Sequence, residues 1–143
     1  MDAVQNTLVP ELTVSDYATS VAFYRDLLGF SVRYQRPEEG FGFLELGAAQ
    51  VMLDQGDKGR TFAVDGAVLD KPFGRGVNFQ IEVDAVSPIL ARLAEADVAL
   101  YLPLEDKWYR TDNMERGNRQ FAVADPDGYL LRFFESLGER AAT

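Results

Sequence analysis

The chain has 143 residues, which suits one compact domain, and it is 47% hydrophobic and 26% charged, as a globular protein is. It contains no cysteine and no histidine, which excludes disulfides and every catalytic arrangement built on either residue type. The formal charge of −9, from 23 acidic and 14 basic residues, argues against non-specific binding to nucleic acid or anionic membranes. That charge favours a cationic small molecule as partner, or merely keeps the protein soluble.

No apolar run approaches the roughly 18 residues that a membrane-spanning helix needs. The N-terminus has no basic start followed by a long apolar stretch, which a signal peptide would show. We therefore expect a cytoplasmic protein with neither nucleic-acid nor membrane partners.

The first half of the chain predicts a strand, a helix and three further strands. Residues 8–14 read as a strand, with Pro10 favouring an edge position. Ser15 or Asp16 can cap the helix that follows, and this helix is expected to run to about Leu28, before the natural stop at Gly29. The remaining predicted strands cover residues 30–34, 41–46 and 50–54.

The second half repeats this order after a segment rich in glycine and charge, residues 55–75, which predicts a linker. The predicted elements are a strand at 77–83, a helix from Ser87 to Asp97, a strand at 98–102, and a hairpin of 119–124 with 129–135. The polar residues 103–118 predict a long loop, and residues 137–143 predict a frayed tail.

The two halves match at an offset of about 69 residues, which indicates a duplication within a single domain, 1–143. The phrases VPELTVSDYATSVAFYRDLLGF and GNRQFAVADPDGYLLRFFE resemble the vicinal oxygen chelate superfamily, which includes glyoxalases, dioxygenases and bleomycin resistance proteins. The resemblance implies an α+β fold of two βαβββ modules, residues 6–54 and 76–136, whose strands form a curved mixed sheet around a pocket. It also implies a homodimer.

Metal-using members of that superfamily place histidine and glutamate ligands at defined strand positions. The corresponding positions here are Val9, Asn78, Arg132 and, with a register uncertain by one, Met52 or Leu53. None of these is a good ligand for a transition metal, and Arg132 would repel a cation. A weak oxygen site at Glu11 or Asp54 would require a different register. The sequence thus predicts no metal, no cofactor and no catalytic residue.

Binding by shape, aromatic contact and charge is what remains. The candidate ligand-binding residues are Tyr34, Phe41, Phe43, Asn78, Gln80, Trp108, Tyr109 and Arg132, with Glu82 and Gln120 as further polar candidates at the pocket wall. The alternatives are that Tyr34 and Phe43 are core or interface residues, that Trp108 anchors a dimer, and that Arg132 forms a structural ion pair.

These observations lead to one main hypothesis and two alternatives. The main hypothesis is a metal-free protein that sequesters a toxic small molecule, with cationic glycopeptide antibiotics of the bleomycin type as leading candidates by resemblance. The first alternative is a lyase, isomerase or dioxygenase of the same superfamily with atypical ligands. The second is a ligand sensor or partner subunit with a vestigial pocket.

Overall fold

The computed structural model describes residues 4–58 and 62–143, and the chain divides into two compact units, Met1–Phe73 and Gly74–Thr143. Each unit has a four-stranded mixed sheet and the order strand, helix, strand, strand, strand. The predicted α+β class and the two βαβββ modules are therefore confirmed. The predicted limits of the single domain and its modules stay predictions. Among the described residues, no helix is both long enough and apolar enough to span a bilayer.

Unit 1 is built around the strand order β1-β4-β3-β2, in which β1 runs parallel to β4 and the other neighbours are antiparallel. Its elements are β1 (Glu11–Val14), α1 (Tyr17–Ala22), β2 (Ser31–Arg36), β3 (Phe41–Leu46) and β4 (Ala49–Gln55). A π-helical segment, Phe23–Leu28, continues α1.

The ends of this helical stretch lie where the sequence predicts them. The Asp16 carboxylate accepts a hydrogen bond from the Thr19 backbone N–H at 3.0 Å, which satisfies a donor left free at the first turn. Gly29 ends the segment with φ +91°, a left-handed conformation that glycine adopts without a steric penalty.

One side of the unit 1 sheet is packed against the helical stretch, and Glu11 lies on the other side. Alternation along β1 buries Leu12 and Val14 on one side and turns Glu11 to the other. The buried side receives Tyr17, whose ring lies directly over Gly42. A Cβ placed at Gly42 would come within 2.1 Å of the Tyr17 hydroxyl oxygen, so only glycine fits there.

Unit 2 has the strand order β5-β8-β7-β6, with β5 parallel to β8. Its elements are β5 (Asn78–Glu82), α2 (Ser87–Glu95), β6 (Leu102–Thr111), β7 (Met114–Ala124) and β8 (Leu130–Ala141). The buried residues of α2, Ile89 and Leu93, and those of one sheet side, Ile81, Phe121 and Phe133, form its core. The rings of Phe121 and Phe133 stack at 5.6 Å.

The loop predicted at 103–118 is wrong. These residues form most of β6 and the start of β7, joined by a two-residue turn at Asp112 and Asn113. Nearly all of β6 is exposed, so its polar residues carry no core-facing alternation that a sequence pattern could detect. Cross-strand pairs such as Arg119–Asp106, at 2.9 Å, stabilise the hairpin instead.

The frayed tail predicted at 137–143 is also wrong, because β8 extends to Ala141, which pairs with Met114. Arg140 donates to Glu115 at 2.8 Å across the same strand pair. The strand predicted at 98–102 begins only at Leu102, and residues 98–101 are irregular. In the predicted linker, Gln55 belongs to β4, residues 62–75 contain neither helix nor strand, and residues 59–61 lie outside the described residues.

Candidate functional site

Unit 1 contains an open groove of about 450 Å³ on the side of its sheet opposite Leu12 and Leu53. Its lining residues come from all four strands of the sheet and from neighbouring segments: Glu11, Arg36, Glu39, Phe41, Met52, Asp54, Lys58 and Phe62. Three of these are carboxylates and two are cationic, so the groove carries a net negative charge. Two aromatic rings complete the lining, which suits a ligand that is both planar and positively charged.

The three predicted aromatic residues of unit 1 lie together. The ring of Tyr34 stacks on Phe43 with centroids 5.3 Å apart and meets Phe41 edge-on at 6.0 Å. Phe43 is only 1% exposed and acts as a core residue, whereas Tyr34 is 45% exposed. Phe41 lies between them and the groove, with the Arg36 guanidinium 4.2 Å from its ring centroid. Of the three, Phe41 lines the groove but is only 6% exposed, and Tyr34 adjoins it without being one of the described lining residues.

Two carboxylates of the groove, Glu11 and Asp54, have raised pKa values. Partial burial raises the pKa of Glu11, and the nearby Asp54 carboxylate raises it further. Burial also raises the pKa of Asp54, an effect that Arg36 opposes and Glu39 reinforces. Arg36 is itself paired with Glu39. A cation entering beside Glu11 and Asp54 would relieve their repulsion, so the groove is arranged to gain from binding positive charge.

In unit 2, four of the predicted polar residues converge on the exposed side of the sheet. The Arg132 guanidinium donates through Nη1 to the Gln120 Oε1 atom at 3.2 Å and to the Tyr109 hydroxyl at 3.3 Å. Its Nε lies 3.4 Å from Asn78 Oδ1. Every one of these acceptors is a neutral oxygen. No carboxylate within the described ranges lies within 4.0 Å of Arg132, so the predicted structural ion pair is absent from that part of the chain.

Gln120, 1% exposed, is the hub of this cluster. Its Nε2 donates to Glu105 Oε2 at 2.8 Å and to the Tyr109 hydroxyl at 2.7 Å. Because a carboxylate only accepts hydrogen bonds, the Glu105 contact fixes which end of the Gln120 amide faces Arg132. Glu105 was not among the predicted site residues. Recognising residues 103–111 as a strand would have placed Glu105 and Tyr109 on the same side.

The other predicted residues of unit 2 occupy different positions. Gln80 pairs in register with Arg132, so it belongs to the same exposed row, and Glu82 lies one residue pair further along β5. Trp108 points to the opposite side of the sheet from Tyr109. There its ring covers Gly117 and lies 4.0 Å from the Arg140 guanidinium. The structure therefore gives Trp108 packing partners on β7 and β8 and does not bring it to Arg132.

The order of strands and helices agrees with that of a known protein superfamily. The family model of the glyoxalase/bleomycin resistance protein/dioxygenase superfamily matches residues 5–133. The chain belongs to this superfamily. The two βαβββ modules and the resemblance seen in the sequence are thereby confirmed.

Relatives within the superfamily include bleomycin resistance proteins. The chain is 27% identical over 135 residues to such proteins from Geobacillus stearothermophilus and Staphylococcus aureus, covering 90% of this chain and 96% of each relative. Among solved structures, the chain is similar to a protein of unknown function from Agrobacterium tumefaciens, with 25% identity, a TM-score of 0.69 and coverage of 95% and 98%. The structure of TioX from Micromonospora sp. shares the fold, with 24% identity, a TM-score of 0.70 and coverage of 93% and 100%.

The superfamily's metal positions do not fit a metal in this chain. Two of them, Asn78 and Arg132, are neighbours across β5 and β8, and a permanently charged guanidinium occupies the place of a ligand. Met52 lies on the groove side of unit 1, and Leu53 is buried on the other, which resolves the register left open by the sequence. An amide and a thioether are poor donors for a divalent cation at such a site. Across the described ranges, no three carboxylates form a cluster able to hold a metal ion.

Proposed function

We propose that this protein binds a cationic small molecule bearing planar rings, of the bleomycin type, and acts by stoichiometric sequestration. Capture breaks no bond, so the proposal requires neither a metal nor a catalytic group. The homodimer, the metal-free state and the cytoplasmic location predicted from the sequence are part of this proposal.

The groove of unit 1 is the observation that carries the proposal. Phe62, which is 67% exposed, supplies a ring for stacking, and the largely buried Phe41 adjoins the exposed ring of Tyr34. Glu11 and Asp54 lie on the same side of the sheet and supply negative charge for a cationic tail. The relatives named bleomycin resistance protein support the choice of ligand class, since they align over nearly the whole chain.

The direct test is calorimetric titration of chelator-treated protein with metal-free bleomycin. We expect saturable binding at one drug molecule per chain, weakened by added salt because the attraction is partly ionic. Fluorescence of Trp108, the single tryptophan, follows unit 2 separately during the same titration. If no heat of binding is detected up to about 100 μM drug, roughly 100-fold above a micromolar Kd, bleomycin is not the ligand.

Charge-neutralising variants test whether the groove is the site. Asp54→Asn and Glu11→Gln should each weaken drug binding about 3- to 10-fold, the usual range for one lost partly exposed charge contact. Asp26→Asn is the matched control, because it removes the same charge from an exposed carboxylate that pairs with Arg25 in the helical segment. Equal losses in all three variants would assign the effect to net charge and not to the groove.

A further inference from the structure

We propose that the exposed side of the unit 2 sheet binds an oxyanion, a carboxylate or phosphate group of a small molecule, at Arg132. The site includes Asn78 and Arg132, which stand at two of the superfamily's metal positions. Where a metal-using member has a metal ligand, this chain has the positively charged Arg132. It does not depend on the drug proposal, which concerns the groove of unit 1.

The hydrogen bonding of Arg132 leaves donors available. A guanidinium carries five N–H donors, and three of them point at Asn78, Gln120 and Tyr109. The two N–H groups of Nη2 have no acceptor among the described residues. The Asn78 contact, at 3.4 Å, is the longest of the three. An oxyanion that displaced it would meet Nε and Nη2 together, which is the paired geometry that carboxylates and phosphates prefer.

Tyr109 adds a directed hydroxyl donor. Its oxygen accepts from Gln120 at 2.7 Å and from Arg132 at 3.3 Å. Both contacts use the lone pairs of the oxygen, so its own hydrogen points away from Gln120 and Arg132. Within the described ranges that hydrogen has no acceptor. Gln120 is held in turn by Glu105, and this buried amide keeps the Tyr109 oxygen beside the guanidinium.

Glu105 holds the other end of the Gln120 amide, so the cluster contains a carboxylate that does not contact Arg132 itself. Arg132 contacts neutral oxygens alone, and a charge held by neutral acceptors gains most from an opposite charge brought by a ligand. Asn78 and Gln80, both exposed on β5, add amide donors beside it. The carboxylates of Glu82 and Glu105 lie in the next cross-strand row beyond Arg132. They would repel a second anionic group, so the site suits a ligand with a single oxyanion.

The experiment is a calorimetric titration of the full chain with benzoate and, separately, with phenyl phosphate at constant ionic strength. The two probes share one ring and differ in the oxyanion, so tighter binding of one identifies a carboxylic acid or a phosphate ester as the natural headgroup. We expect saturable binding of at least one probe, at one site per chain. Failure of both probes to bind overturns the proposal, whatever the outcome with bleomycin.

Variants locate the binding. Arg132→Gln should weaken it by about tenfold or more, because it removes the charge and the fork together. Arg119→Gln is the matched control, because it makes the same change in net charge at a β7 arginine that pairs with Asp106 and points to the opposite side of the sheet from Gln120. It should stay within about twofold of the parent.

Tyr109→Phe keeps the ring, removes only the hydroxyl and should cost about 3- to 10-fold. It provides a second measurement if Arg132→Gln proves unstable to heat. Parent-like affinity in both Arg132→Gln and Tyr109→Phe would overturn the assignment to this cluster.

Discussion

Corresponding rows of the two sheets follow the same ladder and differ in chemistry. The central row is Glu11, Met52 and Phe43 on the groove side of unit 1, and Gln80, Arg132 and Ala122 on the corresponding side of unit 2. An acid, a thioether and a ring in one module are thus replaced by an amide, a guanidinium and a methyl group in the other. The duplicated backbone fixes where side chains meet, whereas the side chains decide which charge the surface attracts.

The packed sides differ in a complementary way. Gly42 in unit 1 occupies the position that Phe121 occupies in unit 2, since each lies opposite the central buried residue of its neighbouring strand. The residue covering the sheet changes in the opposite sense, with Tyr17 at the start of α1 and the smaller Val86 just before α2. The aromatic ring thus comes from the start of the helix in unit 1 and from the strand in unit 2, so the two cores are filled by different residues.

The largest expected effect tests this exchange. Gly42→Ala should lower the free energy of unfolding by about 2–3 kcal/mol, because the added methyl group overlaps the Tyr17 hydroxyl and ring. Urea unfolding followed by circular dichroism measures the loss.

Tyr17→Phe provides the companion variant. It removes the atom nearest to the added methyl group. The double variant should therefore lose less free energy of unfolding than the sum of the losses in the two single variants. Strict additivity would mean that the ring of Tyr17 does not lie over Gly42 in solution.

A smaller effect is expected from a buried glutamine on the groove side of unit 1 and from its counterpart on the Arg132 side of unit 2. Gln120 lies opposite Glu105 and Gln50 lies opposite Glu45, and each amide donates to its glutamate at 2.8 Å. Gln120→Leu should destabilise the chain by about 2 kcal/mol and Gln50→Leu by about 1 kcal/mol, because Gln120 is the more buried and serves more side-chain partners. Thermal unfolding of the two variants side by side checks the ranking. A reversed order would show that the Arg132 cluster is not the tighter network.

The smallest effect concerns the pH dependence of stability. The pKa of Asp54 is raised in the folded chain, mainly by burial, so the folded state holds this proton more tightly than the unfolded state does. The free energy of unfolding therefore falls as the pH rises from the ordinary value of 3.8 through the raised pKa. Asp54→Asn should remove this fall and be more stable than the parent near neutral pH, by about 0.5 kcal/mol or less after solvent screening.

Asp26→Asn is the opposite case and serves as its control. In the parent, the hydrogen bond from Arg25 holds the pKa of Asp26 below the ordinary value. The stabilisation from the charged Asp26 carboxylate is therefore present above pH 3.8 and is lost as the pH falls through the lowered pKa. Asp26→Asn should thus be less stable than the parent near neutral pH. Parallel stability–pH curves for the two variants would contradict the electrostatic description of the groove.

Much of the fold could be predicted because the buried elements have clear periodicity. The helix after Asp16 and the strand at 41–46 each carry the apolar spacing of their structure, and Gly29 has the conformation that its position implies. The β6–β7 hairpin could not be predicted in this way. Its residues are exposed on both sides, so cross-strand pairing and not a core determines its structure.

Little of the groove could be predicted, since Phe41 alone among its described lining residues was a predicted ligand-binding residue. The aromatic residues Tyr34 and Phe41 were identified from the superfamily pattern, but the bulge between Val32 and Tyr34 sets which ring faces which. In unit 2, placing Tyr109 in a loop concealed its contact with Arg132. The register also shifts beside Gly117 and after Leu102, and such irregularities leave no readable trace in the sequence.

The length and position of β6 have a consequence for solubility. This ten-residue strand lies at the end of the order β5-β8-β7-β6, so its outer backbone groups have no strand partner among the described residues. Such an edge can recruit a strand from another chain and start aggregation. Glu105, Asp106, Lys107 and Arg110 place charge along it, and Pro103 removes one of its hydrogen-bond donors. The same polar residues that made the sequence predict a loop here also oppose pairing of this edge with a strand of another chain.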